Sequence, residues 1–213
     1  MKNLKLKICG MKYPENIVEI SALQPDYLGF IFWEKSIRNM DIDSIPKIQP
    51  SIKKVGVFVD ASIDEIRAKV NLFQLDIIQL HGNETIAFCK ELKKLNIEII
   101  KVFSINNFFD FSILKDFIPQ IDYFLFDTKG KLPGGNGITF DWNILENYHY
   151  NIPYFLSGGI GITEIDGLKL FLKSTAAKKC YGIDVNSRFE KKPGTKNKIK
   201  LEKFKKLLYE TKI

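Results

Sequence analysis

Lys7-Ile8-Cys9-Gly10-Met11 decides how this chain is read, because a short apolar run, residues 4–8, ends there in a thiol and a glycine turn. The same ending recurs. Ile77-Ile78-Gln79-Leu80-His81-Gly82, Tyr123-Phe124-Leu125-Phe126-Asp127 and Tyr154-Phe155-Leu156-Ser157-Gly158-Gly159 each close a β-prone run with a polar or titratable side chain or a glycine pair. Such runs lie at residues 4–8, 27–32, 55–59, 77–80, 99–103, 123–126, 154–156 and 181–185. They begin about 20 to 30 residues apart, which leaves room for one strand, one helix and two short loops. Chemistry placed at the ends of several parallel strands points to an enzyme.

Between the runs the apolar spacing becomes helical: Ile17, Ile20 and Leu23; Ile63, Ile66, Val70 and Phe73; Ile86, Cys89 and Leu92; Ile165, Leu168 and Leu172. Pro14 suits the first turn of the first helix. Ser62-x-x-Glu65 and Thr163-x-x-Asp166 read as capping boxes, and Asn83 and Asp141 can accept the free N–H groups of a first turn. Continuous apolar strands alternating with amphipathic helices imply a parallel sheet covered by helices. Eight units within 213 residues favour an α/β fold closed into a (β/α)8 TIM barrel, with residues 1–213 forming a single domain.

Composition excludes several classes. With 45% hydrophobic and 27% charged residues the chain is not disordered. No apolar run reaches the roughly 20 residues of a membrane helix, and the first residues lack a signal-peptide apolar stretch. A cytoplasmic protein with no membrane partner is expected. Cys9, Cys89 and Cys180 form no Cys-x-x-Cys pair and no disulfide framework, which agrees with reduced thiols. The net charge of +7 lies in the tail, where residues 188–213 hold ten Lys or Arg against three Glu. Leu201, Phe204 and Leu208 share one helical face there, so the lysines read as the solvated face of a packed last helix. No nucleic-acid partner is expected; a polyanion-binding surface is the alternative.

Glycines permit close backbone approach to an anion, and barrel loops after strands 7 and 8 often bind phosphate. Gly158 and Gly159 follow the seventh run, and Asn186 and Ser187 follow Asp184 at the eighth. Asp127 ends an apolar strand, where lost hydration raises a carboxyl pKa toward general-acid use; a cap or ion pair is the plain alternative. Cys9 needs the opposite shift, toward thiolate, with Lys7 or nearby N–H groups to help, and by itself is more often an inert core thiol. Arg38 could clamp a carboxylate in bidentate fashion or form a surface ion pair. His81 serves equally as a hydrogen-bonding wall or a structural residue. Residues 128–140, rich in glycine, have the length of an active-site loop. No metal site, dinucleotide fingerprint or Walker loop is present in the sequence.

Taken in order, Lys7-Ile8-Cys9-Gly10-Met11, Gly29-Phe30-Ile31-Phe32 with Lys35-Ser36-x-Arg38, Val55-Gly56-Val57-Phe58-Val59, Gln79-Leu80-His81-Gly82, Asp127-Thr128, Gly134-Gly135-x-Gly137-x-Thr139-Phe140-Asp141-Trp142 and Leu156-Ser157-Gly158-Gly159-Ile160 resemble the phosphoribosylanthranilate isomerases of tryptophan biosynthesis. The resemblance spans all eight units. It implies a cofactor-free barrel that converts N-(5-phosphoribosyl)anthranilate into 1-(2-carboxyphenylamino)-1-deoxyribulose 5-phosphate by an Amadori rearrangement. It further implies Asp127 as acid, Cys9 as base, Arg38 on the anthranilate carboxylate, Gly158, Gly159, Asn186 and Ser187 on the phosphate, and Asp184 near the substrate. His81, Gly135 and Gly137 join the substrate-binding set, the glycines in a loop that closes over the site. The partner is then a phosphorylated sugar-anthranilate, bound by a monomer or homodimer. A related phosphosugar barrel would need a strand lysine, a metal cluster or an acid pair, and none is evident. One departure stands out: the family's Ser-Ser-Gly-Val-Glu after the strand-8 Asp is here Asn186-Ser187-Arg188-Phe189-Glu190. Losing that glycine predicts a remodelled phosphate pocket, with Arg188 either compensating as a cation or facing solvent.

Overall fold

A computed structural model describes residues 4–128 and 141–210; Gly135 and Gly137 lie outside the described residues. Strands β1 (Lys5–Ile8), β2 (Tyr27–Phe32), β3 (Lys53–Phe58), β4 (Ile77–Leu80), β5 (Glu98–Ile105), β6 (Tyr123–Thr128), β7 (Tyr154–Leu156) and β8 (Cys180–Val185) run parallel in sequence order. The barrel closes where β1 pairs with β8, Lys7 lying opposite Asp184. All eight runs read from the sequence are strands, so the expected (β/α)8 class holds.

Helices cover the barrel less regularly than the periodicity implies. Among the described residues the α-helices are α1 (Pro14–Ser21), α2 (Ile63–Phe73), α3 (Ile86–Lys93), α4 (Ile165–Lys173) and α5 (Lys198–Tyr209). After β5 and β6 the chain makes 3-10 helices, Phe111–Gln120 and Trp142–Asn147, and no helix joins β2 to β3. Pro119 lies inside the first of these 3-10 helices, and Pro46 and Pro50 interrupt the connection from β2. Each proline removes an N–H that an α-helix would need.

The caps divide into those the sequence placed and those it did not. Pro14 opens α1, the Ser62 side chain accepts from the Glu65 N–H, and Asp141 accepts from the Asn143 N–H at the start of a 3-10 helix. Thr85 rather than Asn83 caps α3, while the Asn83 N–H is taken by Asp60. Thr163 caps nothing: α4 begins at Ile165, and the Thr163 hydroxyl donates to Glu164. Leu23 falls beyond the end of α1.

Side chains two apart along a strand share a face, and that period builds the interior in two levels. Tyr27, Val55, Ile77, Ile100, Val102, Leu125 and Phe155 form an apolar plug within the barrel. Two residues further along their strands, Gln79, Asp127 and Ser157 line a cavity instead. Apolar packing below therefore fixes where the polar groups above can point. Phe155 is fully buried and meets Tyr27, Tyr123 and Tyr181 edge-on at centroid distances of 5.4, 5.6 and 5.4 Å. Phe155→Ala should cost about 3–5 kcal/mol in urea unfolding; an unchanged midpoint would show that the plug does not carry the barrel.

After β8 the chain makes a short antiparallel hairpin, β9 (Glu190–Lys192) with β10 (Thr195–Lys196), before α5. Leu201, Phe204 and Leu208 are buried on α5, as their spacing requires. Not all of the tail's basic residues are solvated, since Lys196 is 0% exposed.

Candidate active site

One cavity opens at the C-terminal ends of the strands, with about 730 Å³ of empty space including its solvent-open mouth. Cys9, Arg38, His81, Asp127, Gly158, Gly159, Asp184, Asn186 and Ser187 all line it. These are all the sequence-read candidates that fall among the described residues. They come from β1, the loop after β2, and the ends of β4, β6, β7 and β8, so barrel closure brings together residues up to 178 positions apart.

Asp127 is 5% exposed, and its Oδ1 accepts the Thr128 N–H at 2.9 Å. Burial, then the Asp184 charge, raises its pKa to about 6, against the Thr128 N–H, Lys7 and Ser157. A carboxyl poised there holds a proton for part of the time near neutral pH. His81 Nε2 approaches Asp127 Oδ2 at 3.7 Å, while its Nδ1 lies 3.4 Å from Gln79 Nε2. Burial, with Lys7 and Lys101, lowers the imidazole to about 4. His81 is therefore neutral at pH 7, and its approach to Asp127 is a polar contact rather than an ion pair. His81 Nε2 and Gln79 Oε1 are buried without a hydrogen-bond partner among the described residues. Such orphaned groups in a cavity wall are available to a ligand.

Cys9 is 4% exposed. Burial pushes its thiol up; Lys7 pulls it down, Asp184 pushes it up, and Lys196 pulls it down. The net direction is upward, against the shift toward thiolate that the sequence reading required with help from Lys7 or nearby N–H groups. Lys7 itself is wholly buried, with Nζ 2.8 Å from Asp184 Oδ1, so its pull on the thiol is opposed by the charge of its own partner.

Arg38 does not form the surface ion pair considered from sequence. Its Nε and Nη2 reach the Glu190 carboxylate at 2.9 and 2.7 Å, and Glu190 is only 6% exposed. That fork holds the guanidinium rigidly against the cavity wall. The Glu190 carboxyl stays below the usual range: burial pushes it up, and Arg38 and Lys196 outweigh that. Glu190 and Lys196 are site residues that the chemistry of the sequence did not single out, although Glu190 closes the family's strand-8 motif.

The Arg188 departure has a structural explanation. Residues Ser187–Phe189 make one 3-10 turn, and the positive-φ residues other than glycine among the described residues are Gln24, Asp60, Gln74 and Asn96. Arg188 sits outside the left-handed region, so its position needs no glycine. Gly158 does need to be glycine: its φ is +95°, and a Cβ there would meet Thr128 Oγ1 at 2.1 Å.

A closed parallel barrel with converging polar groups at the C-terminal strand ends defines a (β/α)8-barrel enzyme. Residues 6–206 match the sequence profile of N-(5'-phosphoribosyl)anthranilate (PRA) isomerase, and the chain belongs to that family of isomerases. An N-(5'-phosphoribosyl)anthranilate isomerase of Parabacteroides distasonis is 41% identical over 204 residues, covering 93% of this chain and 90% of its own length. One from Rhizobium etli is 39% identical over 208 residues, covering 93% and 91%. Among solved structures, the Thermus thermophilus phosphoribosyl anthranilate isomerase superposes with a TM-score of 0.82 at 23% identity, covering 96% of this chain and 98% of that one. The Thermotoga maritima enzyme gives 0.78 at 26% identity, with the same coverage. Among the described residues no helix is long and apolar enough to cross a membrane.

Proposed function

We propose that this chain isomerises N-(5-phosphoribosyl)anthranilate with Asp127 as general acid and Cys9 as general base. The observation that carries this reading is that both groups line one cavity, on β6 and on the turn after β1. Asp127 protonates the furanose ring oxygen, and the sugar opens to a Schiff base. Cys9 removes the proton from sugar C2, and the enolamine relaxes to the ketone. Two titrating groups on separate strand ends can face the same sugar from opposite sides, which converts two proton transfers into steps within one complex.

Arg38, held by Glu190, receives the anthranilate carboxylate, and the backbone around Gly158, Gly159, Asn186 and Ser187 receives the phosphate. His81 forms a neutral wall beside Asp127, and Asp184 fixes Lys7. A solved complex of a phosphoribosyl anthranilate isomerase with reduced 1-(o-carboxyphenylamino)-1-deoxyribulose 5-phosphate, 25% identical with a TM-score of 0.75, supports a ligand of this kind. The reaction belongs in the cytoplasm, where thiols such as Cys9 stay reduced.

Freshly prepared phosphoribosylanthranilate is fluorescent, and the purified protein should extinguish that signal far faster than spontaneous hydrolysis does. No acceleration would reject the reading. Gly158→Ala should raise KM about 10- to 100-fold, the loss of one or two hydrogen bonds to a charged group, with a smaller effect on kcat. An unchanged KM would move the phosphate away from the β7 loop.

A further inference from the structure

Cys9 carries a problem that the two-residue mechanism leaves open, because burial opposes the thiolate and Lys7 is already matched by Asp184. The charged groups around it come from Lys7 on β1, Arg38 after β2, Asp127 on β6, Asp184 on β8, the hairpin pair Glu190 and Lys196, and Arg188, which lines the same cavity from the turn after β8. Lys7 pairs with Asp184, and Arg38 and Lys196 share the single carboxylate of Glu190. While Asp127 holds its proton, these three cations, Lys7 and Lys196 buried and Arg38 partly so, share two carboxylates. The surplus is one positive charge, which one thiolate would balance.

Lys196 is the cation placed there with the most architecture. The hairpin turns its chain back to the mouth, and α1 fastens it: Asn16 Oδ1 accepts the Lys196 N–H at 2.6 Å, and Asn16 Nδ2 donates to the Lys196 carbonyl at 3.0 Å. Its Nζ donates to Asn186 Oδ1, to the Asn186 carbonyl at 3.3 Å and to Glu190 Oε1 at 2.9 Å. Three acceptors for three protons are what a buried ammonium requires. Burial pushes Lys196 below the usual lysine range; Glu190 and Cys9 pull it up without cancelling the fall, to which Arg38 adds. Asn186 in turn lies against the turn that carries the thiol. A Cβ on Gly10, whose φ is +75°, would meet Asn186 Oδ1 at 2.7 Å and Arg38 Cδ at 3.0 Å.

We propose that Lys196 is a positioning residue of the isomerase site, whose buried ammonium orients Asn186 and supplies the unmatched positive charge that lets Cys9 work as a thiolate. This rests on the reading of Cys9 as the base. The hairpin is then part of the site, although it lies more than 180 residues along the chain from Cys9.

The test is a pH titration of thiolate absorbance near 240 nm, taken as the difference between each protein and its own Cys9→Ser derivative, which cancels Cys89, Cys180 and the tyrosines. Lys196→Met removes the charge; Lys196→Gln removes it while keeping an N–H donor for Asn186 and Glu190, so folding is retained even where Met disturbs it. Thermal melting identifies the folded variants. In these the Cys9 titration should move up by about one pH unit or more, and kcat should fall about tenfold across the whole range between the Asp127 and Cys9 titrations. A Cys9 titration unmoved in folded Lys196→Gln would overturn the proposal and leave the assignment of Cys9 intact. Full turnover by Cys9→Ser would instead overturn that assignment.

Discussion

Asp127→Asn is expected to lower kcat about 10²- to 10⁴-fold while making the protein more stable at pH 7. Both effects have one cause. Asp127 is nearly enclosed, and burial together with Asp184 raises its pKa to about 6 from 3.8. In the unfolded chain the carboxyl ionises near its ordinary value, so the folded protein binds more protons between about 4 and 6. Stability therefore falls as pH rises through that window, and above it the full penalty for the buried charge remains. Asparagine carries no such charge, and about 1–3 kcal/mol should be recovered at pH 7. In the same variant the rising limb of kcat/KM near pH 6 should move up to the titration of the Cys9 thiol, which separates Asp127 from the substrate's own phosphate titration. A variant that retains turnover, or that is less stable at pH 7 than the parent, would show that the carboxyl is structural.

Cys9→Ser should be equally severe, with a loss of about 10²- to 10⁴-fold in kcat and little change in KM or melting temperature. Serine is close in shape to cysteine, but its hydroxyl does not ionise in the accessible pH range, so the site keeps its form and loses its base. The falling limb of the parent's pH profile, which reports the last proton shared by Cys9 and Asp127, should move down to the Asp127 titration near 6, because only the acid is left to titrate. Because burial raises the thiol and Asp127 titrates near 6, the working state, with the proton on Asp127 and the charge on sulfur, is a minority of the enzyme. That disposition makes the surrounding cations matter to rate, and it explains why a lysine that touches no substrate can affect turnover.

The barrel and most of its mouth were legible in the sequence for a local reason. A strand has period two, so a polar residue closing an apolar run, such as Asp127 after Leu125, sits at the rim and faces inward. Cys9, His81, Asp127 and Ser157 all follow that rule, and they line the same cavity. Helical connections were less legible where backbone chemistry overrides periodicity. Ile113, Phe117 and Ile118 have the residue types of a helix, yet Pro119 lies within that segment and the turns there are 3-10. Asn83 and Thr163 have the chemistry of caps but lie too early, by one or two residues, for helices that begin at Ile86 and Ile165.

Glu190 and Lys196 were hidden by a different cause. Their burial depends on a hairpin folding back over the β1 and β8 ends, and no local pattern in a lysine-rich tail separates one enclosed lysine from eight others. Pro193-Gly194 forms the turn, and which side chain the hairpin encloses depends on Asn16, nearly the whole chain away.

The most direct test of an acid and a base facing one sugar is a crystal structure of the protein with reduced 1-(o-carboxyphenylamino)-1-deoxyribulose 5-phosphate. The account predicts Cys9 Sγ at the sugar C2 and the Asp127 carboxyl at the oxygen that closes the furanose ring, each within roughly 3–3.5 Å. A ligand seated in this cavity with either group turned away from the sugar would contradict it.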